Sequence, residues 1–220
     1  MNGDGHLHAR PGAADGTPAP GLHRIGDGGD ALLYVPDGAS SDRPAPLVVM
    51  LHGAGGTADS GISHLRPLAD EAGLLLLAPR SVGQTWDAIR DGFGPDVERL
   101  DALLAEVFAA CAVDGGHVAV GGFSDGASYA LSLGLANGGL FTHVVAFSPG
   151  FIPPMEREGD PRIFVSHGDE DNVLPIGVCS RRIVPWLAHA GYRVLYREFA
   201  GGHTVPRRVA REAVEWLMEA

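Results

Sequence analysis

From about residue 30 onward, short apolar runs alternate with stretches in which apolar residues recur every three or four positions. The runs ALLYV (31–35), PLVVMLH (46–52), LLLLAP (74–79), VAVGGF (118–123), THVVAF (142–147), RIFVSH (162–167) and RVLYREF (193–199) read as strands. ALLYV reads as an edge strand; PLVVMLH is continuously apolar, as a strand covered on both faces should be. Helical spacing fills the gaps. A modest helix is expected from Asp59 to Ala72, ahead of a glycine. A longer one runs from Pro95 to Ala112, with Val97, Leu100, Leu103, Leu104, Val107 and Phe108 on one stripe and Pro95 suited to the first turn. Further helices are expected from Ser124 to Asn137, at 175–190 and at 206–219. This alternation predicts an α/β protein with a mostly parallel central sheet and helices on both faces. There is no repeat and no sign of a second domain, so residues 22–220 are expected to form a single domain. Residues 1–21 are rich in Gly, Pro, Ala and Asp and lack periodicity, which predicts a flexible N-terminal tail. His6 and His8 read as tail histidines, not metal ligands, and Asp27 and Asp30 as turn residues.

Composition narrows the partners. The chain of 220 residues is 45% apolar and 20% charged, as in a soluble globular protein that can bury a sizeable core. Its net charge of −11 argues against nucleic acid or an anionic membrane surface as partner. Two cysteines, Cys111 and Cys179, are too few for a disulfide framework, which points to free thiols in a reducing, cytoplasmic setting. The N-terminus has no apolar core of a secretory signal, and apolar runs such as Leu74 to Ala78 are far too short to span a bilayer. The pairs Arg181-Arg182 and Arg207-Arg208 read as solvated faces.

Candidate chemistry sits where strands end. Gly122-Phe123-Ser124-Asp125-Gly126 is a G-x-S-x-G pattern at a strand-to-helix junction. Such a turn exposes a serine hydroxyl above the sheet at a helix N-terminus, where amides favour negative charge. The same serine could instead be an ordinary N-cap. A serine nucleophile needs a base, and the base an orienting acid. Asp169, Glu170 and Asp171 follow RIFVSH; His203 follows RVLYREF in a Gly-rich loop. His167 is expected to shape the acid loop. The first central strand ends in His52-Gly53-Ala54-Gly55-Gly56, a loop of small residues able to bring amides close to an oxyanion.

With LHGAGG, GGFSDGA, HGDEDNVLP and GGH in place, the chain resembles the α/β-hydrolase superfamily from about residue 30 onward, and within it the small phospholipase/carboxylesterase-type serine esterases. It is also similar to dienelactone hydrolases and polyhydroxyalkanoate depolymerase-like esterases. That resemblance implies an α/β-hydrolase fold, a catalytic triad and no cofactor or metal. The family's H-G-x-x-D-x-x-x-P pattern, laid on His167 to Pro175, implies Asp171 as the acid, with Asp169 as alternative. Ser124 then attacks an ester carbonyl, His203 takes its proton, and the amides of Asp125 and of Ala54 or Gly55 bind the oxyanion. Trp86, Phe123 and Phe151, with Ile152, are expected to border the substrate cleft. The family's usual oxyanion loop has a larger apolar residue at the place of Ala54. Dienelactone hydrolases carry cysteine where Ser124 stands, so oxygen esters are favoured here. The connection from Phe147 to Pro161 is too short for a cap domain, which implies an open cleft suited to short or soluble acyl esters. Thioesterase, lysophospholipase and polyester depolymerase activities are the alternatives within enzymes, and a non-catalytic ligand-binding module is the alternative outside them. Oligomeric state is not legible.

Overall fold

The computed structural model describes residues 5–219. In chain order the elements are β1 (Gly21–Ile25), β2 (Ala31–Val35), β3 (Ala45–Leu51), α1 (Ala58–Ser63), α2 (Ala69–Ala72), β4 (Leu75–Ala78), α3 (Asp87–Arg90), α4 (Pro95–Ala110), β5 (Val113–Phe123), α5 (Asp125–Ala136), β6 (His143–Phe147), β7 (Arg162–Gly168), α6 (Ser180–His189), β8 (Val194–Phe199) and α7 (Arg207–Leu217). The strands form one sheet in the order β1-β2-β4-β3-β5-β6-β7-β8. From β4 to β8 every pairing is parallel; β1 and β2 add an antiparallel margin.

Alternate side chains of a strand point to opposite faces, and β3 shows the consequence. Leu47, Val49 and Leu51 join one apolar cluster, with α4 and α5; Val48 and Met50 join the other, with α1 and α7. Eleven of the twelve residues of α5 are buried, all but Asp125, so this helix is clamped between sheet and neighbours along its length. The chain leaves β3 for β4 on one side and returns to β5 on the other. The carboxyl ends of β3 and β5 therefore flank a topological switch point, where open α/β sheets bind ligands.

Three features differ from the pattern-based expectation. ALLYV is not the edge: Gly21–Ile25 pairs outside it, antiparallel, with only alternate residues half-buried. The helix expected over 59–72 breaks into α1, a single 3-10 turn at Arg66–Leu68 and α2. Pro67 supplies the cause, because its ring clashes with the preceding turn and it has no N–H to donate. The flexible tail is corrected for residues 5–15, which lie along α4 and the end of α5. Leu7 is buried, its N–H donates to Asn137 Oδ1 (2.7 Å), and Asn137 Nδ2 donates to Gly5 O (2.8 Å). The amides of His8 and Ala9 donate to Asp101 Oδ1, and that of Asp15 to Ala109 O. One buried leucine and a side-chain amide that satisfies the helix end outweigh a composition that looks disordered. Residues 1–4 of that segment lie outside the described residues. The connection 148–161 holds no helix or strand.

Candidate active site

The junction of β5 and α5 is tight for a reason visible in its glycines. A Cβ on Gly122 would lie 2.4 Å from Gly126 backbone, and one on Gly126 would lie 2.3 Å from Leu51 O. Neither position can hold a side chain unless the backbone moves. Between them Ser124 adopts φ 58°, ψ −121°, left-handed backbone that a non-glycine residue takes only under constraint. Its N–H donates to Phe147 O (3.0 Å), which fixes the turn against β6. The hydroxyl makes no capping bond to α5. It faces His203 instead: Ser124 Oγ lies 2.9 Å from His203 Nε2.

His203 Nδ1 lies 2.6 Å from Asp171 Oδ2. A carboxylate only accepts, so Nδ1 carries the proton and Nε2 is left to accept from the Ser124 hydroxyl. Asp171 is buried, and its other oxygen accepts the amides of Val173 (2.9 Å) and Leu174 (2.8 Å). Burial works against the charge, yet the Leu174 amide, His203 and the Val173 amide outweigh it and hold the carboxyl below the usual range. Behind it stands His167, fully buried, with Nε2 2.8 Å from Leu174 O and 3.2 Å from Asp171 Oδ2, and Nδ1 2.7 Å from Ser180 Oγ. Burial lowers the proton affinity of this ring. Asp169 and Glu170 are exposed; Asp169 Oδ1 accepts the Gly201 N–H (3.1 Å), which ties the two loops together away from the imidazole. Phe123 packs on His203 with ring centroids 4.6 Å apart.

On the other flank, the His52–Gly56 loop crosses above Ser124, with Gly53 close enough that a Cβ there would lie 3.3 Å from Ser124 Cβ. Gly55 is corrected as an oxyanion donor, because its N–H is already committed to Gln84 O (2.6 Å). The Ala54 amide makes no such bond among the described residues, and the Asp125 amide opens α5, where no intrahelical acceptor exists. Asp125 turns its carboxylate away, onto Thr85 Oγ1 (2.7 Å). Trp86 is corrected as a cleft wall. It is 1% exposed, stacks on Tyr129 at 5.3 Å and donates Nε1–H to His52 O (2.8 Å). Phe151 is exposed and Ile152 half-buried, and the Phe151 N–H lies 3.4 Å from Ser128 Oγ on α5.

Ser81, Gln84 and Thr85 belong to the site's support and were not anticipated. Ser81 N–H donates to His52 Nε2 (3.0 Å). Main-chain bonds carry most of these contacts, and no periodicity or motif announces them. Among the described residues no group of three or more His, Cys, Asp or Glu side chains could hold a metal. His6 lies 3.6 Å from Glu158, and Cys111 and Cys179 are buried free thiols. No helix among the described residues is long and apolar enough to cross a membrane.

The Phospholipase/Carboxylesterase family model matches residues 82–218, more than half of the chain. The Aspergillus niger protein named "Probable feruloyl esterase C" is 29% identical over 167 residues, covering 72% of this chain and 60% of that protein. Feruloyl esterase C of Emericella nidulans is 27% identical over 168 residues, 73% of this chain and 61% of that one. The chain thus matches less than two thirds of the length of these curated relatives. In fold it is similar to esterase PE8, with a TM-score of 0.68 at 23% identity over 90% of this chain and 98% of that one.

Proposed function

The chain belongs to the phospholipase/carboxylesterase family, and on that premise we propose that it is a serine hydrolase of carboxylic esters working through an acyl-enzyme. Ser124 is the nucleophile, His203 the general base and acid, and Asp171 the group that orients and charges the imidazole. The supporting observation is the unbroken line from Ser124 Oγ through His203 to Asp171, at 2.9 and 2.6 Å. As Ser124 Oγ bonds to the ester carbon, its proton passes to His203 Nε2. The imidazolium so formed is stabilised by Asp171, which stays ionised. The tetrahedral oxyanion takes hydrogen bonds from the amides of Asp125 and Ala54. One such donor contributes roughly 3 kcal/mol to the transition state. Collapse breaks the ester C–O bond and the proton moves from Nε2 to the departing alcohol. Water then repeats the sequence on the acyl-Ser124 ester, releasing the acid and restoring the serine.

Soluble or short acyl esters suit the open rim, which has no helix or strand in the 148–161 connection to cover it. Feruloyl esters, which the names of the relatives give, fall within this class. Ser124→Ala tests the assignment: turnover of 4-nitrophenyl acetate should vanish while the melting temperature stays near that of the parent. Residual activity close to the parent's would remove Ser124 from the role.

A further inference from the structure

A cleft of about 600 Å³ opens between the 150–157 segment and α6, a volume proper to a small ligand. Its walls include Phe151, Ile152, Met155 and Trp186, and its only charged side chains are Arg157 and Arg182. Phe151 is 45% exposed and Trp186 46%, large apolar area that water covers poorly. The charge pattern stands against that of the rest of the surface. The chain has a net charge of −11, and four other surface cavities each carry at least two carboxylates in their walls. This cleft carries two guanidinium groups and none. The adjacent arginines on α6 have different fates: Arg181 is spent on Glu198 at 2.7 and 2.9 Å, whereas Arg182 forms no ion pair among the described residues.

The cleft begins at the reactive serine's own neighbours. Gly150 lines it, and the Gly150 N–H donates to Ser128 Oγ (2.9 Å), one helical turn on from Ser124. Leu174 of the acid loop lies against Gly150, its Cδ2 3.3 Å from where a Cβ would be. We propose that this cleft receives the non-reacting arm of the ester, and that the preferred arm is apolar or aromatic and ends in a carboxylate held by Arg182 and Arg157. The inference rests on the esterase reading for its term "ester" but on the cleft alone for its term "carboxylate". Apolar walls select the arm, and the guanidinium fork matches the planar anion.

Trp186 makes the cleft readable without catalysis, because the other two tryptophans, Trp86 and Trp216, are only 1% and 6% exposed. Titration of the full chain with 4-phenylbutanoate should change its fluorescence saturably, and the change should disappear in Trp186→Phe. The neutral 4-phenylbutanamide should bind about tenfold more weakly, the usual loss when a charge-assisted hydrogen bond is removed. Arg182→Gln should bring the two ligands close together, and Arg182→Glu should favour the amide. In hydrolysis, the 4-nitrophenyl half-ester of suberic acid should show a lower KM than 4-nitrophenyl octanoate. Equal binding of carboxylate and amide, or no response of Trp186 to either, overturns the assignment. Turnover of 4-nitrophenyl acetate without discrimination between the two long esters overturns it while leaving the esterase reading intact. No turnover of any ester, with discrimination in binding retained, overturns the esterase reading instead.

Discussion

Two buried histidines stand at the carboxyl edge of the sheet, one on each flank of Ser124, and they do different work. His52 follows β3. Its Nδ1 lies 2.7 Å from Gly53 O and its Nε2 accepts the Ser81 N–H at 3.0 Å, so the proton is on Nδ1. His167 is in β7 and has the opposite tautomer: Nε2 bears the proton toward Leu174 O, and Nδ1 accepts from Ser180. Burial lowers the proton affinity of both rings, and their bonding requires it, since each must keep one lone pair free. The difference lies in what they touch. His52 bonds only main chain and so can act on oxyanion geometry alone. His167 also lies 3.2 Å from Asp171 Oδ2 and can act on charge. One flank of the site is tuned by shape, the other by shape and electrostatics together.

The largest effect that sharpens this contrast is on the charged flank. Asp171→Asn should lower kcat on 4-nitrophenyl butyrate by about 10⁴-fold, because an amide that donates to Nδ1 imposes the wrong tautomer on His203. Asp169→Asn should cost little, since Asp169 holds only the Gly201 amide. Equal losses in the two variants would mean that the loop, not the charge of one carboxylate, is what matters.

The shape flank should respond less. His52→Leu strips the acceptor from the buried Ser81 N–H, at about 1–3 kcal/mol of stability, and frees the Gly53 carbonyl. Displaced rather than deleted, the Ala54 amide should cost about 30-fold in kcat, short of the 10²–10³ for losing a donor outright. KM and the shape of the pH profile should hold. An unchanged kcat would mean that Trp86, bonded to His52 O, fixes the loop without the ring.

How much of this could be read from the sequence follows the same division. That Ser124, His203 and Asp171 would meet was legible because serine-hydrolase chemistry needs particular side chains in a particular chain order, each just past an apolar run. The oxyanion flank was legible only as a stretch of small residues. Which amide is free depends on Gln84 O, a main-chain atom 29 residues after Gly55, and no pattern records that bond. Trp86 and Phe151 looked alike as aromatics following strands. Tyr129 and the His52 carbonyl bury the first, while the second stays 45% exposed. In the fold, GLHRI was missed as a strand because its alternation of half-buried and exposed positions is too weak to stand out in five residues. Pro67, by contrast, was in plain view inside the segment assigned as one helix.

The finest test separates charge from shape within His167 itself. His167→Leu removes a donor from beside Asp171 Oδ2. With less of its charge offset, Asp171 holds a protonated His203 more strongly. The base must be neutral to accept from Ser124, so the acid limb of kcat/KM against pH should move to higher pH. Well above the limb the rate should change less than tenfold. His167→Gln, whose side-chain amide can still donate, should return the limb most of the way. A ring that served only as packing would lower kcat in the leucine variant without moving the limb, and glutamine would restore neither. That result would leave both flanks of the site tuned by shape alone.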